Sequence, residues 1–85
     1  MYELKILKSA QRDMKSIKDK NILYRIHKAI LSLKHSPYIG KKLRGFDSLY
    51  RIRIGKFRII YKIDEKEKVI YIVLIDKRSR VYKRI

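Results

Sequence analysis

The sequence predicts a small α+β domain, in which an N-terminal strand and a two-helix hairpin pack on a twisted, mainly antiparallel sheet. Three observations lead to this prediction. The chain begins with the alternation of a strand, continues with two segments of helical periodicity, and has three strand-like segments in its second half. Its length of 85 residues suits one domain spanning residues 1–85, with a core of modest size.

The start of the chain predicts one strand followed by one helix. Residues 2–6 alternate apolar and polar side chains, as a half-buried strand does. The period then becomes helical, and we expect Ser9 to be the N-cap of this first helix. Its buried residues are predicted to be Ala10, Met14 and Ile17.

A second helix is predicted after residues 19–21, because the apolar residues Ile22, Leu23, Ile26, Ile30 and Leu33 form a wide stripe at helical spacing. Either Asp19 or Asn21 is expected to cap it. Pro37 ends it, since the residue before a proline disfavours helical geometry. The short loop between the two helices indicates an antiparallel helical hairpin on one face of the sheet.

Residues 50–63 predict a β-hairpin, after a mostly irregular segment at residues 38–48. Gly55-Lys56 suits a two-residue turn, because glycine adopts a positive φ at little cost. That turn places Arg53 opposite Arg58. One face of the hairpin is then apolar, with Tyr50, Ile52, Ile54, Phe57, Ile59, Tyr61 and Ile63, and the other carries Arg51, Arg53, Arg58, Ile60 and Lys62.

The last strand is predicted from Val69 to Ile75, after a charged turn at residues 64–68. Its continuous apolarity is typical of a central strand covered on both faces. A basic tail follows at residues 76–85. We expect the tail to dock through Val81, Tyr82 and Ile85, and the cationic face of the hairpin to point away from the helices.

The charge of the chain favours a polyanionic partner. Lys and Arg total 24 against 8 for Asp and Glu, which gives a net charge of +16, and no acidic residue lies between Asp47 and Asp64. Such a balance suits nucleic acid, an anionic membrane surface or an acidic protein. Two arginines directly opposite one another repel and destabilise a sheet, unless an anion covers that face. A phosphate backbone is the anion we expect there.

Several classes of site are unsupported by the sequence. The absence of cysteine excludes a disulfide framework and a Cys-ligated zinc site. The apolar run from Val69 to Ile75 is too short to span a bilayer, and no signal-peptide core begins the chain, so we expect a cytoplasmic protein with no membrane partner. His27 and His35, both predicted in the second helix, lack a third ligand, and we expect no metal and no cofactor.

The remaining candidates for function are Arg, Lys and Tyr side chains of the hairpin and the tail. Such a set can bind RNA phosphates, stabilise a pentacovalent phosphorane and stack bases on tyrosine. Attack by the 2′-OH of RNA on the adjacent phosphate needs only a base, charge stabilisation and an acid. A basic sheet face is more often a binding surface than an active site, so from the residues alone both interpretations stay open.

Three stretches of the sequence resemble the pattern of the RelE/ParE toxin superfamily. They are Leu43-Arg44-Gly45, then Leu-Tyr-Arg-Ile-Arg-Ile-Gly-Lys-Phe-Arg-Ile-Ile-Tyr at residues 49–61, and Asp-Lys-Arg-Ser-Arg-Val-Tyr at residues 76–82. The family has L-x-G, YR-x-R-x-G-x-(Y/F)-R-(I/V)-(I/L)-Y and H-(R/K)-R-x-x-VY in the same order. The resemblance covers nearly the whole chain and implies a toxin of a type II toxin–antitoxin pair.

For the RelE branch, the resemblance implies a metal-independent, ribosome-dependent endoribonuclease that cleaves messenger RNA in the decoding site by 2′-OH attack. It also implies three partners: the ribosome, messenger RNA and a cognate acidic RelB-like antitoxin in a toxin–antitoxin hetero-oligomer. The ParE branch implies a gyrase inhibitor with the same fold. A non-catalytic, basic RNA-binding homologue is the third alternative.

Carried over residue by residue, the resemblance implies a catalytic set of Arg51, Arg53, Arg58, Arg78 and Tyr82, with Arg58 as the transition-state arginine. The tail alignment also allows Arg80 in the place of Arg78. We expect the surrounding cations to bind RNA or the ribosome; they are Lys41, Lys42, Arg44, Lys56, Lys62, Lys77, Arg80 and Lys83.

Two departures from the family leave the general base open. Bacterial RelE has lysines at the positions of Arg51 and Arg53, and an arginine, with a pKa above about 12, does not readily serve as a base. Lys77 also replaces the histidine that precedes the tail arginine in other members. The titratable candidates that remain are Lys62, Lys77 and Tyr82.

Overall fold

The computed structural model describes all 85 residues. Its elements, in chain order, are β1 (Glu3–Ile6), α1 (Lys8–Ser16), α2 (Lys20–Ser32), β2 (Lys41–Lys42), β3 (Leu49–Ile54), β4 (Phe57–Asp64), β5 (Val69–Lys77) and α3 (Arg78–Val81). The five strands form one sheet in the order β1-β5-β4-β3-β2. The predicted α+β class is therefore confirmed. None of the helices has the length and apolar character needed to cross a bilayer.

β5 is an interior strand covered on both faces, as its continuous apolarity predicts. It pairs in parallel with β1 and antiparallel with β4. Ile70 and Ile72 enter the main core, whereas Leu74 enters a second, smaller core. Both faces of β5 are therefore covered. β3, β4 and β5 are antiparallel as predicted, and β1 joins the sheet as its parallel edge strand.

α1 begins at Lys8, and the prediction that Ser9 caps this helix is wrong. The N-cap position is Leu7, and no side chain caps the helix. The hydroxyl of Ser9 donates instead to the Val73 carbonyl at 2.6 Å, and Asp13 Oδ2 accepts from the Ile75 N–H at 2.9 Å. These contacts complete the hydrogen bonding of β5 beyond the end of β1, so a tertiary partner replaces the local cap.

α2 has Asp19 as its N-cap, which decides between the two predicted caps. The carboxylate of Asp19 accepts from the backbone N–H groups of Asn21 at 3.0 Å and Ile22 at 3.2 Å. The helix ends at Ser32, so His35 lies beyond the helix in which the sequence placed it.

The hairpin has the predicted register. Gly55 has a φ of +58°, Ile54 lies opposite Phe57, and Arg53 lies opposite Arg58. The apolar face packs on α1 and α2. The main core consists of Ala10, Ile26, Ile30, Leu33, Ile54, Ile59, Tyr61, Ile63, Ile70, Ile72 and Ile75.

The other face of the sheet is partly covered by a small core around Ile60. Its buried members are Leu43, Ile60, Leu74 and Val81, and Leu49, Val73 and Ile85 pack against them. The tail thus docks through Val81 and Ile85 as predicted, whereas Tyr82 is exposed.

Two short elements lie in segments where the sequence predicts none. β2 is a two-residue strand in the irregular segment, and α3 is a single turn of helix in the tail. Neither is long enough to show a periodicity. β2 exists because it pairs with β3, and α3 because Val81 is buried.

Candidate nucleic-acid interface

A groove lies across the cationic face of β3 and β4. Its first lobe has a volume of about 540 Å³. Cations predominate in its lining, and no acidic residue contributes to it. The lining residues are Ile39, Gly40, Lys41, Arg51, Ile52, Arg53, Arg58 and Arg78.

A second lobe of about 440 Å³ continues the same groove past the hairpin turn. Its lining residues are Arg53, Gly55, Lys56, Arg58, Lys77, Arg78 and Ser79. Arg53, Arg58 and Arg78 line both lobes. We call the two lobes together the cationic groove. The three shared arginines stand at its middle, where they would meet any anion that occupies both lobes.

Backbone pairing explains why these cations converge. Arg53 and Arg58 are cross-strand partners, and cross-strand partners present their side chains on the same face. Lys41 is paired with Arg51 in the same way. The N–H of Arg78 donates to the Lys56 carbonyl at 2.9 Å, which joins the end of β5 to the hairpin turn. The fold therefore brings four separate segments to one groove.

Arg58 lies in the floor of the groove. It is only 6% exposed and is the one buried charged side chain in the protein. Its Nη1 donates to the carbonyls of Phe57 at 3.0 Å and Gly55 at 3.3 Å. No carboxylate lies within ion-pair distance of it. Arg58 therefore carries a fixed positive charge that no protein anion neutralises.

Asp76 lies opposite Arg58 on β5, yet its carboxylate binds other arginines. Oδ1 lies 3.3 Å from Arg80 Nε, and Oδ2 accepts from Arg84 Nη1 at 3.0 Å. Burial raises the pKa of Asp76, but hydrogen bonds from the Lys77 N–H and from Arg84, together with the charges of Arg80 and Arg84, hold it below its usual value. Asp76 is therefore an ionised partner of the tail rather than of the groove.

The same contacts separate the two tail arginines. Arg78 lines both lobes, whereas Arg80 lines neither and pairs with Asp76. Arg51 brings Tyr82 to the edge of the groove, because its Nη1 donates to the Tyr82 hydroxyl at 2.8 Å. The five residues implied as catalytic, Arg51, Arg53, Arg58, Arg78 and Tyr82, thus lie in or beside one groove.

The predicted binding cations divide into two groups. Lys41 lines the first lobe, and Lys56 and Lys77 line the second. The exposed residues that line neither lobe are Lys42, Arg44, Lys62, Arg80 and Lys83. Lys42 pairs with Tyr50 of the apolar face, so its side chain points away from the groove. Of the three candidate bases, Lys77 and Tyr82 are at the groove and Lys62 is not.

Sequence reasoning missed the loop that forms one wall of the first lobe. Tyr61 is fully buried, and its hydroxyl donates to the Pro37 carbonyl at 2.8 Å and accepts from the Gly40 N–H at 3.0 Å. A Cβ on Gly40 would lie 2.5 Å from both the Arg51 carbonyl oxygen and the Tyr61 hydroxyl oxygen. The presence of a glycine at position 40 is the one sign in the sequence that the backbone approaches Tyr61 and Arg51 this closely.

Desolvation of the buried hydroxyl raises the pKa of Tyr61, although the Gly40 hydrogen bond acts in the opposite direction. The neutral hydroxyl is therefore the form that fits the fold. No group of three or more His, Cys, Asp and Glu side chains is arranged to hold a metal ion.

Comparison with protein families gives one match over most of the chain. A family model described as the ParE toxin of the type II toxin–antitoxin system parDE matches residues 4–82. The chain is 33% identical to RelE1 of Methanocaldococcus jannaschii over 87 aligned residues, which cover 96% of each protein. It is 26% identical to toxin RelG of Mycobacterium tuberculosis, with 98% of each covered.

Solved structures give the same likeness. The archaeal RelE–RelB complex from Pyrococcus horikoshii contains a chain that matches with a TM-score of 0.79 and 30% identity, covering 94% of this chain and 98% of that one. The intact RelBE complex of Escherichia coli matches with a TM-score of 0.81 and 21% identity, covering 91% and 96%. At that lower identity the second match supports the fold alone.

Proposed function

Because the chain belongs to the RelE/ParE superfamily of type II toxins, we propose that it is a ribosome-dependent endoribonuclease that cleaves messenger RNA. The observation that carries this proposal is the convergence of Arg53, Arg58 and Arg78 at the middle of one groove. Guanidinium groups bind phosphate oxygens through paired hydrogen bonds. A gyrase inhibitor gives no particular reason for these arginines to meet.

In the proposed reaction, the 2′-OH of the RNA attacks the adjacent phosphorus. The 2′-O–P bond forms, the P–O5′ bond breaks, and the products are a 2′,3′-cyclic phosphate and a 5′-hydroxyl end. Charge builds on the non-bridging oxygens as the phosphorane forms. Arg58 is already fixed by the Gly55 and Phe57 carbonyls, so it can meet that charge without reorganising.

Two proton transfers accompany this reaction, and two of the three candidate bases, Lys77 and Tyr82, stand at the groove. The Tyr82 hydroxyl accepts from Arg51, which leaves its own proton free to be donated to the departing O5′. Lys77 lines the second lobe and is the other candidate base; in its neutral form its amine would take the proton of the 2′-OH. Neither group lies in the middle of the groove, and orientation of the RNA by the ribosome supplies the rest of the geometry.

We also propose an acidic RelB-like antitoxin as the partner of the free protein in a hetero-oligomer. RelE proteins of Pyrococcus horikoshii and Escherichia coli have been solved in complex with RelB. A net charge of +16 favours a partner that places acidic side chains over the groove. Ribosomes and messenger RNA as targets imply action in the cytoplasm.

The test is induction of the chain alone in cells, with transcript 5′ ends and double-strand DNA breaks mapped in parallel. We expect new 5′-hydroxyl ends within translated regions and no DNA breaks. With purified components, cleavage should require ribosomes and should be unchanged by EDTA. Efficient cutting of naked RNA that EDTA abolishes would contradict this mechanism, and DNA breaks with intact transcripts would identify a gyrase inhibitor.

A further inference from the structure

One wall of the cationic groove carries an exposed apolar side chain. Ile39 lines the first lobe beside Lys41 and Arg51, and it is 56% exposed. A single exposed aliphatic side chain is common on protein surfaces and needs no explanation by itself. Ile39 needs an explanation because of its position, on the wall of a groove in which cations predominate.

The turn that displays Ile39 is held from both ends. The Tyr61 hydroxyl binds the Pro37 carbonyl before Ile39 and the Gly40 N–H after it. Tyr38 is anchored as well, since its ring meets the Tyr50 ring edge-on at a centroid distance of 5.7 Å. The chain therefore presents Ile39 to the groove on a fixed backbone, so that a contact there costs little ordering entropy.

The two lobes differ in the chemistry of their lining. The first contains the exposed side chain of Ile39 among its cations, whereas the second contains no hydrophobic residue. Ile52 also borders the first lobe, but its side chain packs on the main core on the other face of the hairpin. A nucleotide has an anionic phosphate and a base with an apolar face. With phosphates on the three shared arginines, the first lobe is the one side of the groove where a base meets an apolar surface.

We propose that Ile39 contacts the face of a nucleobase next to the phosphate held by Arg53, Arg58 and Arg78. This inference rests on the RNA substrate of the proposed function and adds a base-contacting subsite to it. An apolar face pressed on a base tolerates different bases, because every base has a π face. Ile39 therefore contributes affinity and position on the strand rather than a strict sequence requirement.

The test measures binding without cleavage. Short single-stranded RNA carrying 2′-O-methyl groups throughout cannot undergo 2′-OH attack. We use a series of such oligonucleotides in which each member lacks the base at one position, and the abasic position moves along the strand from one member to the next. Fluorescence anisotropy gives the Kd of each oligonucleotide over a range of salt concentrations. The proteins compared are the parent, Ile39→Ala, Ile39→Phe and Leu31→Ala. Leu31 is the matched control, since it is 59% exposed and lies on α2, outside the groove.

For the parent, we expect removal of the base at one position to weaken binding by roughly three- to tenfold. Ile39→Ala should weaken binding of the intact oligonucleotide to a similar extent and lose the dependence on that base. Ile39→Phe should retain the dependence on that base, because an aromatic ring also stacks on a base. The slope of log K against log salt should not change, since no charge is removed. Leu31→Ala should bind like the parent.

Three results would overturn the inference. The parent could bind every abasic oligonucleotide as it binds the intact one. Ile39→Ala could match the parent, or weaken all oligonucleotides equally. Failure of the proposed function is distinguishable, because a protein that binds with this base dependence yet never cuts messenger RNA contradicts the nuclease and leaves the subsite standing.

Discussion

Arg58 combines burial with an uncompensated charge, and this combination opposes folding. A buried ion without an ionic partner costs several kcal/mol unless hydrogen bonds offset the loss of water. The two carbonyl contacts of Arg58 provide part of that compensation. Its cross-strand neighbour Arg53 adds repulsion. A phosphate in the groove would relieve both, which is the physical reason to assign Arg58 to the chemistry.

We predict that Arg58→Ala lowers the single-turnover cleavage rate by roughly two to three orders of magnitude, and weakens ribosome binding by less. Lost packing and relieved repulsion oppose each other, so the melting temperature should stay close to that of the parent. Rates and thermal melts on the same samples decide the question. A variant that melts like the parent and also cuts at the parental rate would remove Arg58 from the active site.

Tyr61 allows a separate test of the loop that carries Ile39. Tyr61→Phe removes both hydroxyl contacts, and we expect a loss of roughly 1–2 kcal/mol in the free energy of unfolding. Tyr24→Phe is the control, since Tyr24 is exposed on α2. Urea titrations at pH 7 compare the two. Equal stability of both variants would show that the loop does not depend on the Tyr61 hydroxyl.

The raised pKa of Tyr61 also predicts a pH effect on stability. Its contribution is complete below the unfolded pKa of about 10 and is lost as the pH rises through the higher folded value. Alkaline titration should therefore destabilise the parent more than Tyr61→Phe.

At the scale of single elements, α3 depends on its surroundings. A helix of four residues does not form in isolation. Val81 anchors it in the small core, and Arg84 binds Asp13 of α1 and Asp76 of β5 at 3.0 Å each. These two carboxylates raise the pKa of Arg84, Asp13 having the larger effect. Arg78 is the first residue of α3 and Tyr82 directly follows the helix, so the position of α3 sets theirs.

We predict that Arg84→Ala releases the tail and lowers the single-turnover rate by roughly ten- to a hundredfold, because small displacements of catalytic groups are costly. Amide hydrogen exchange in α3 should accelerate in the same variant. Lys83→Ala is the control, and it should leave both quantities unchanged. Unaltered exchange in α3 of Arg84→Ala would show that Val81 alone holds the tail.

Elements that are specified by their own residues were predictable, and elements that depend on contacts with other parts of the chain were not. The hairpin register follows from Gly55-Lys56, because the turn alone fixes which residues face each other. β2 and α3 have no local signal, since β2 is only two residues long and forms by pairing with β3, and α3 forms against a small core that includes Leu43 and Ile60. Ser9 shows the same limit, because its hydroxyl binds the Val73 carbonyl rather than the nearby helix N-terminus.

At the scale of the whole molecule, the sheet separates the core from the cations. That separation follows from the period-two alternation of β3 and β4, and it was predictable. The small core around Ile60 was not, because its members come from four segments of the chain. The burial of Arg58 was also not predictable, since the tail that packs on this face has no clear hydrophobic periodicity.

The division of the cations between groove and periphery predicts a division of roles. Neutralising Lys42 and Lys83 together should weaken association with ribosomes and reduce the slope of log K against log salt by roughly one per lysine. The single-turnover rate at saturating protein should stay near that of the parent, because neither residue lines the groove. Binding and rate measured over a salt series check this. A loss of rate at saturation would place one of these lysines in the chemistry.

The parallel pairing of β1 with β5 has a consequence for the order of events during synthesis. Glu3 pairs with Val69, so the first strand has no partner until β5 has been made. β5 is also the interior strand that joins β1 to β4, and Arg78 directly follows it. Contacts this distant in sequence form late in folding. A nascent chain that stops before β5 has neither a complete sheet nor a complete groove, so the cationic groove is complete only after β5 and α3 have been translated.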